Sequence, residues 1–101
     1  MTRSPDVRER VDPWLVCRAL GDPSRADILR LIAKRPRPAA ELLRELGLSK
    51  ATVSHHIFQL REAGLITETK VGRSVELKMC LKPVRQLSRA LAAELDGRKR
   101  G

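Results

Sequence analysis

A hydroxyl beside two imidazoles, in Ser54, His55 and His56, is the part of this sequence with the most potential for chemistry. The trio could supply a nucleophile with its base, ligands for zinc, or hydrogen bonds to a partner molecule. Hydrolysis is disfavoured because one turn of helix cannot aim a serine and a neighbouring histidine at one carbonyl, and no buried acid is evident to orient the ring. Zinc is disfavoured because neither histidine has a ligand-type residue three or four positions away. We therefore expect no enzymatic activity, and either contact with a partner or simple exposure to water for this trio.

The two cysteines, Cys17 and Cys80, are too far apart in sequence for a zinc ribbon and too few for a disulfide framework, so free thiols are expected. Cys17 falls on an apolar helical stretch, where the expected role is that of a small core side chain. Cys80 shares the predicted outer face of a strand with Glu76 and Lys78, and Lys82 adds a second nearby cation that favours the thiolate. Cys80 is therefore a candidate thiol sensor, with an inert surface thiol as the alternative.

Net charge gives the first indication of the partner. The 101 residues include 21 Lys and Arg against 12 Asp and Glu, a formal charge of +9, which predicts a polyanion. The aromatic residues are Trp14 and Phe58 alone, too few for the stacking platforms that hold single-stranded nucleic acid, so duplex DNA is favoured. No apolar run approaches about 18 residues, and the first twelve residues are charged, so we expect no membrane partner and a cytoplasmic location.

Helix-start and helix-stop residues divide most of the chain into five helices. Asp12-Pro13 and Asp22-Pro23 each place an N-cap carboxylate before a proline at the first helical position. Gly21 is expected to end the first helix in the C′ role, as Gly47 is for the third. With Ser49 as the N-cap of the fourth helix, the expected helices are 13–20, 23–35, 39–46, 50–63 and 83–95, with a proline-rich break at 36–38.

From Ile66 onward the apolar period changes to two, which predicts strands at about 66–71 and 74–80. The apolar residues of the second strand are expected to face the core, and they are Val75, Leu77 and Met79. Gly72-Arg73 lies between the strands, and a glycine in first place suits a two-residue type II′ turn. The sequence therefore predicts a β-hairpin directly after the fourth helix.

The fourth helix has a thin inward apolar stripe, made by Val53, Ile57 and Leu60. The opposite side of the helical wheel carries Ala51, Ser54, His55 and Phe58. No acidic residue lies between Glu45 and Glu62, so this free face does not repel phosphate. Two helices joined by a tight turn and followed by a hairpin form the winged helix-turn-helix plan, in which the second helix enters the major groove. The expected fold is mainly α, with about five helices and a two-stranded wing.

Three segments of the chain resemble the ArsR/SmtB family of bacterial repressors, namely LGDPSRADILRLI, AAELLRELGLSKATVSHHIFQLREAGLI and the hairpin with VGRSVEL. The resemblance covers about residues 14–81. It implies a homodimer of winged helices, joined through the first and last helices, that occupies operator DNA and releases it when an inducer binds. The base-reading residues that it implies lie early on the fourth helix, at Lys50, Ala51, Ser54 and His55, and Thr52 beside them is a further candidate for DNA binding. Phosphate contacts from the wing fall on Lys70 and Arg73.

The inducer site does not carry over with this resemblance. Metal-sensing relatives place paired cysteines in the helix before the recognition helix, or acidic and histidine ligands along the last helix. Here these segments read AAELLRELG and PVRQLSRALAAEL, without Cys or His. Glu94 and Asp96 alone are poor zinc ligands without a nearby imidazole. We expect no metal or other cofactor, and the small-molecule inducer stays unidentified.

The terminal helices carry more apolar surface than one small core can cover, and part of this surface is expected to meet a second subunit. The expected interface residues are Trp14, Val84, Leu87, Leu91 and Leu95. The chain is thus divided into a flexible basic arm at 1–11, one DNA-binding and dimerisation domain at 12–96, and a frayed basic tail at 97–101.

Two other functions fit the same pattern of residues. A winged helix can dock on proteins through the surface that otherwise faces DNA, which would make this chain a protein-interaction module. Basic charge alone would suffice for an architectural protein that binds DNA without sequence preference. Phe58 and Gln59 stand where the family more often has a polar residue followed by an apolar one, so no operator sequence carries over to this chain.

Overall fold

A computed structural model describes residues 12–97. The predicted arm at 1–11 and all but the first residue of the predicted tail at 97–101 lie outside these described residues. Within them the chain forms five helices and one three-stranded antiparallel sheet, which confirms the predicted winged helix-turn-helix class. The elements in chain order are α1 (Pro13–Leu20), α2 (Pro23–Lys34), β1 (Arg37–Pro38), α3 (Ala39–Leu46), α4 (Lys50–Glu62), β2 (Ile66–Val71), β3 (Ser74–Met79) and α5 (Lys82–Leu95).

Three helices begin at the side-chain caps that the sequence predicts. The Asp12 carboxylate accepts hydrogen bonds from the backbone N–H groups of Trp14 and Leu15, at 3.0 and 3.3 Å. Asp22 caps α2 in the same way, and Ser49 caps α4. Each cap satisfies N–H groups that have no partner within the first turn of a helix, and this fixes where the helix starts.

The two glycines predicted to end α1 and α3 behave differently. Gly47 has a φ of 66°, so it closes α3 in the left-handed conformation expected of a C′ glycine. Gly21 directly follows the last residue of α1, as predicted, but its φ is −78°, so the left-handed conformation of a C′ glycine is not present there. Its N–H donates to the Arg18 carbonyl at 3.2 Å, and the chain then passes at once into the Asp22 cap of α2. This bond spans three residues, as in a 3₁₀ turn, and needs no left-handed residue.

The predicted hairpin is present as β2 and β3, with Ile66 opposite Met79 and Val71 opposite Ser74. Gly72 has a φ of 62°, whereas Arg73 has a negative φ, as a type II′ turn requires. Two details differ from the sequence prediction. β3 ends at Met79, one residue earlier than expected, and Val75 is 43% exposed rather than turned into the core. Val75 lies opposite Lys70 near the tip of the hairpin and lines an open groove beside α4.

The segment predicted as a plain proline-rich break contains a third strand, β1. Arg37 lies opposite Leu77 and Pro38 opposite Glu76, which gives the sheet the order β1-β3-β2. The Arg37 side chain is buried and its guanidinium binds the Glu45 carboxylate of α3 at 3.1 Å. This ion pair joins β1 to α3, so the short strand fixes the base of the hairpin against the helices.

The core that the helices and the sheet share is entirely aliphatic. Both aromatic side chains are exposed instead, Trp14 by 49% and Phe58 by 47%. None of the helices in the described part of the chain is long and apolar enough to cross a membrane. The buried hydrophobic residues are Val16, Ala19, Ile28, Leu29, Ile32, Leu42, Val53, Ile57, Leu60, Ala63, Leu65, Ile66 and Leu77.

Candidate nucleic-acid interface

The two faces of α4 are divided as the helical wheel predicts. Val53, Ile57 and Leu60 are buried against the core. Every base-reading position implied by the resemblance is exposed, and so is Phe58 one turn further along. Because the core holds one side of α4 firmly, the other side is a rigid surface available to a partner. The exposed residues are Lys50, Ala51, Thr52, Ser54, His55 and Phe58.

The first turn of α4 also engages one of these residues in a cap. Ser49 Oγ accepts a hydrogen bond from the Thr52 N–H at 3.1 Å, and the Ser49 hydroxyl lies 2.9 Å from Thr52 Oγ1. The two hydroxyls therefore contact each other at the N-terminal end of α4. The hydroxyl proton of Thr52 stays available to an acceptor when Ser49 is the donor of this bond.

His56, in contrast to Ser54 and His55, is not a surface residue. Only 9% of it is exposed, which corrects the reading of the three neighbours as one polar surface group. Its Nδ1 lies 3.3 Å from Nη1 of Arg25, and its Nε2 lies 3.9 Å from the Asp22 carboxylate. Because a guanidinium can only donate, Nδ1 is the acceptor in the contact with Arg25, and Nε2 is the ring nitrogen that faces Asp22.

Arg25, which sequence reasoning missed, joins three helices. Its Nε donates to the Ala19 carbonyl at 2.7 Å and its Nη2 to the Arg18 carbonyl at 3.1 Å, so it closes the end of α1. Its Nη1 reaches His56 on α4. The backbone N–H of Arg25 lowers the pKa of Asp22, and the nearby Arg25 guanidinium acts in the same direction, although partial burial acts against both. This cluster sets the position of α4 relative to α1.

The predicted phosphate-binding residues of the wing, Lys70 and Arg73, are both exposed near the hairpin tip. The hairpin is joined to α4 closer to its base, where Arg61 Nη1 lies 3.0 Å from Glu68 Oε2. A groove runs between α4 and the hairpin, and Ser54 and Val75 are among its lining residues. The structure thus places the two predicted sets of DNA-binding residues on two neighbouring elements linked by an ion pair.

The five residues predicted for a subunit interface come together on α1 and α5, which pack against each other. Trp14 Nε1 donates to a Glu94 carboxylate oxygen at 3.3 Å across this helix pair. Val84 and Leu87 are half-buried and contact the core, whereas Leu95 is 71% exposed. The α5 helix therefore covers the core with its first half and leaves apolar side chains uncovered toward its end.

The two cysteines have similar environments, unlike the prediction. Both are free and half-buried, although Cys17 was expected in the core and Cys80 on an open strand face. Cys80 follows the last residue of β3, and its N–H donates to the Leu65 carbonyl at 2.8 Å. Among residues 12–97, no three side chains of His, Cys, Asp or Glu are grouped as a metal ion requires. The predicted absence of a metal stays a prediction.

A short helix, a tight turn, a second helix with an exposed polar face, and a hairpin beside it define the winged helix-turn-helix class of DNA-binding regulators. A family model described as a helix-turn-helix domain matches residues 20–69. The arsenic resistance transcriptional regulator ArsR1 of Pseudomonas putida is 35% identical over 74 residues, 72% of this chain and 58% of that protein. The transcriptional repressor SdpR of Bacillus subtilis is 30% identical over 60 residues, 59% of this chain and 67% of the repressor.

Solved structures lead to the same family. An ArsR-like transcriptional regulator from Rhodococcus has a TM-score of 0.75 at 27% identity, over 85% of this chain and 84% of that one. The chain belongs to the ArsR/SmtB family of winged helix-turn-helix transcriptional repressors, which are DNA-binding regulators and not enzymes. The aligned segment spans only 48% to 58% of the length of the first curated relatives.

Proposed function

We propose that this protein is a repressor that binds a specific duplex-DNA operator as a homodimer and is released from it by a signal that is not yet identified. The observation that carries the proposal is the outer face of α4, which is exposed, rigidly backed by the core and free of carboxylates from residue 46 to residue 61. A face of this kind can enter the major groove of DNA without repelling the phosphates. A repressor acts on chromosomal DNA, so we assign the protein to the cytoplasm.

Base reading is assigned to the first two turns of α4. Lys50 is a donor suited to guanine, and Ser54 and His55 each offer both donor and acceptor atoms toward base edges. Ala51 lies between them with a small side chain, which allows the helix backbone to approach the groove closely. Thr52 combines its capping bond to Ser49 with a hydroxyl that can donate to a base or a phosphate.

Contact with the phosphate backbone of the DNA is assigned to the wing. Lys70 and Arg73 are exposed cations near the tip of the hairpin, and the ion pair between Arg61 and Glu68 fixes the hairpin against α4. When α4 lies in the groove, this arrangement directs both cations to the flanking phosphates. Such contacts position a protein on DNA but carry no sequence information, so they strengthen binding to every sequence alike.

The homodimer is assigned to α1 and α5. Trp14 and Leu95 are large apolar side chains left exposed on two helices that pack together, and Leu91 lies one turn before Leu95. A second copy of this surface would cover them by two-fold symmetry, as most homodimers do. A two-fold dimer also implies an operator built as an inverted repeat, with half-site centres about one helical turn, ~34–36 Å, apart.

Cys80 is the proposed target of a thiol-reactive releasing signal. Cys80 connects β3 to α5, so a bulky adduct there would move the wing relative to the dimer helices. We expect a thiol-modifying reagent to weaken operator binding by the wild type and by Cys17→Ser, but not by Cys80→Ser. Mass spectrometry first checks that modification is complete. Titrations of the modified proteins with operator DNA then measure the change in affinity. Unchanged affinity of the fully modified wild type would remove Cys80 from consideration.

Selection from random duplexes tests the proposed function as a whole. The affinity for the selected sequence and for random DNA should be compared at one fixed salt concentration. A repressor should prefer its site by a factor on the order of 1,000 or more. A ratio near one would instead indicate an architectural protein, and the absence of DNA binding would indicate a protein-interaction module.

A further inference from the structure

Phe58 is an apolar ring on a face that otherwise consists of small or polar side chains. Nearly half of it is exposed, although the other large apolar side chains on α4, those of Val53, Ile57 and Leu60, are buried. The chain has only one other aromatic residue, Trp14, and the core contains no aromatic ring. A lack of space among other aromatic side chains in the core therefore does not explain why Phe58 is exposed.

The spacing of Phe58 places it in line with the proposed base-reading residues. Ala51, Ser54, His55 and Phe58 follow the series i, i+3, i+4 and i+7, and all four are exposed. The base-reading side chains of a homeodomain recognition helix have the same spacing. From Ala51 to Phe58 this series covers ~10 Å of helix axis, which corresponds to roughly three base steps along one strand.

The ring is also held in place. The Arg61 guanidinium carbon lies 5.9 Å from the centroid of the Phe58 ring, within the range of a cation–π contact. The same guanidinium binds the Glu68 carboxylate of β2 at 3.0 Å. Arg61 thus contacts the hairpin on one side and the ring on the other, and both contacts favour one orientation of Phe58.

We propose that Phe58 reads a thymine by packing against its 5-methyl group. This inference rests on the proposed function, because it requires α4 to lie in the major groove. The thymine methyl is the apolar group that base pairs offer in the major groove, whereas cytosine carries only a hydrogen on the same ring carbon and so gives the ring less apolar contact. Phe58 would therefore determine one position of the operator, beyond those read through hydrogen bonds.

The test uses the sequence selected from random duplexes and replaces its thymines one at a time by deoxyuridine, which lacks only the methyl group. At one thymine the wild type should lose affinity about three- to fivefold, the effect of removing one buried methyl from a contact. Phe58→Ala should bind the thymine-containing site more weakly than the wild type and should not distinguish thymine from deoxyuridine at that position. Phe58→Leu keeps an apolar side chain and should still distinguish them.

Leu81→Ala is the matched control, because Leu81 is also a large apolar residue, 44% exposed, but lies outside α4. It should retain the full difference between thymine and deoxyuridine. A selected site at which no deoxyuridine replacement affects the wild type, or at which Phe58→Ala keeps the full difference, would overturn the role of Phe58. Either result leaves the selected site itself intact, whereas failure to select any sequence would overturn the proposed function.

Discussion

Replacing Leu91 and Leu95 together by glutamate should convert the protein into monomers that no longer bind the operator specifically. Leu95 is 71% exposed and Leu91 half-buried on α5, so the change places charge on the surface that the second subunit is proposed to cover. A dimer holds its second recognition helix next to the second half-site, and this raises its avidity by a factor of roughly 100 to 10,000 over that of a monomer. The loss of specific affinity should have this size.

The choice of leucines follows from what each one contacts. Leu87 lies on the same stripe but also packs against the core, so its replacement would combine loss of the dimer with loss of stability. Leu91 and Leu95 lie further along α5 and are not among the residues packed against the core. Sedimentation velocity at micromolar concentration measures the assembly state, and circular dichroism checks that the helices of the variant persist.

Arg89→Glu is the matched control for this experiment. It lies on α5, is exposed, and alters the net charge by the same two units, but it stands off the apolar stripe. We expect Arg89→Glu to remain dimeric and to bind the operator with at most the small loss that two units of charge cause. A wild type that sediments as a monomer at micromolar concentration, or a dimeric double-glutamate variant, would contradict the proposed interface.

Local capping chemistry explains why the helix boundaries could be predicted from the sequence. Asp12, Asp22 and Ser49 each bond to backbone N–H groups two or three residues ahead, so the signal and its effect lie within one turn. The same holds for Gly72, whose positive φ is required by a turn of two residues. The outer face of α4 followed from the helical period alone.

Features that depend on distant residues were missed. β1 exists because Arg37 pairs with Leu77, far along the chain, and a two-residue strand with a proline has no periodicity to detect. His56 is buried because Arg25 and Asp22 provide polar partners for its ring inside the fold. Its position, three residues after Val53 on the inward side, was the available signal, but a polar side chain there gives no reason to expect such partners.

The remaining prediction separates the residues that contact base edges from those that contact the phosphate backbone of the DNA. Ser54→Ala or His55→Ala should cost about 1–3 kcal/mol in binding to the selected site and little in binding to random DNA, because a base-edge contact exists only on the correct sequence. Both side chains are exposed and have no role in the core, so the folded state should be unaffected. Fluorescence anisotropy on the two duplexes at equal salt measures the difference.

Arg73→Ala should behave in the opposite way. It should weaken binding to both duplexes, and it should reduce the slope of log K against log salt by about one unit, the effect of one lost phosphate contact. Lys78→Ala is the control for charge alone, because Lys78 pairs with Thr67 near the base of the hairpin rather than at its tip. It should change the slope less than Arg73→Ala does. If His55→Ala loses equal affinity for both duplexes, His55 contacts the DNA backbone and not a base. If Arg73→Ala leaves the salt slope unchanged, the wing tip makes no phosphate contact.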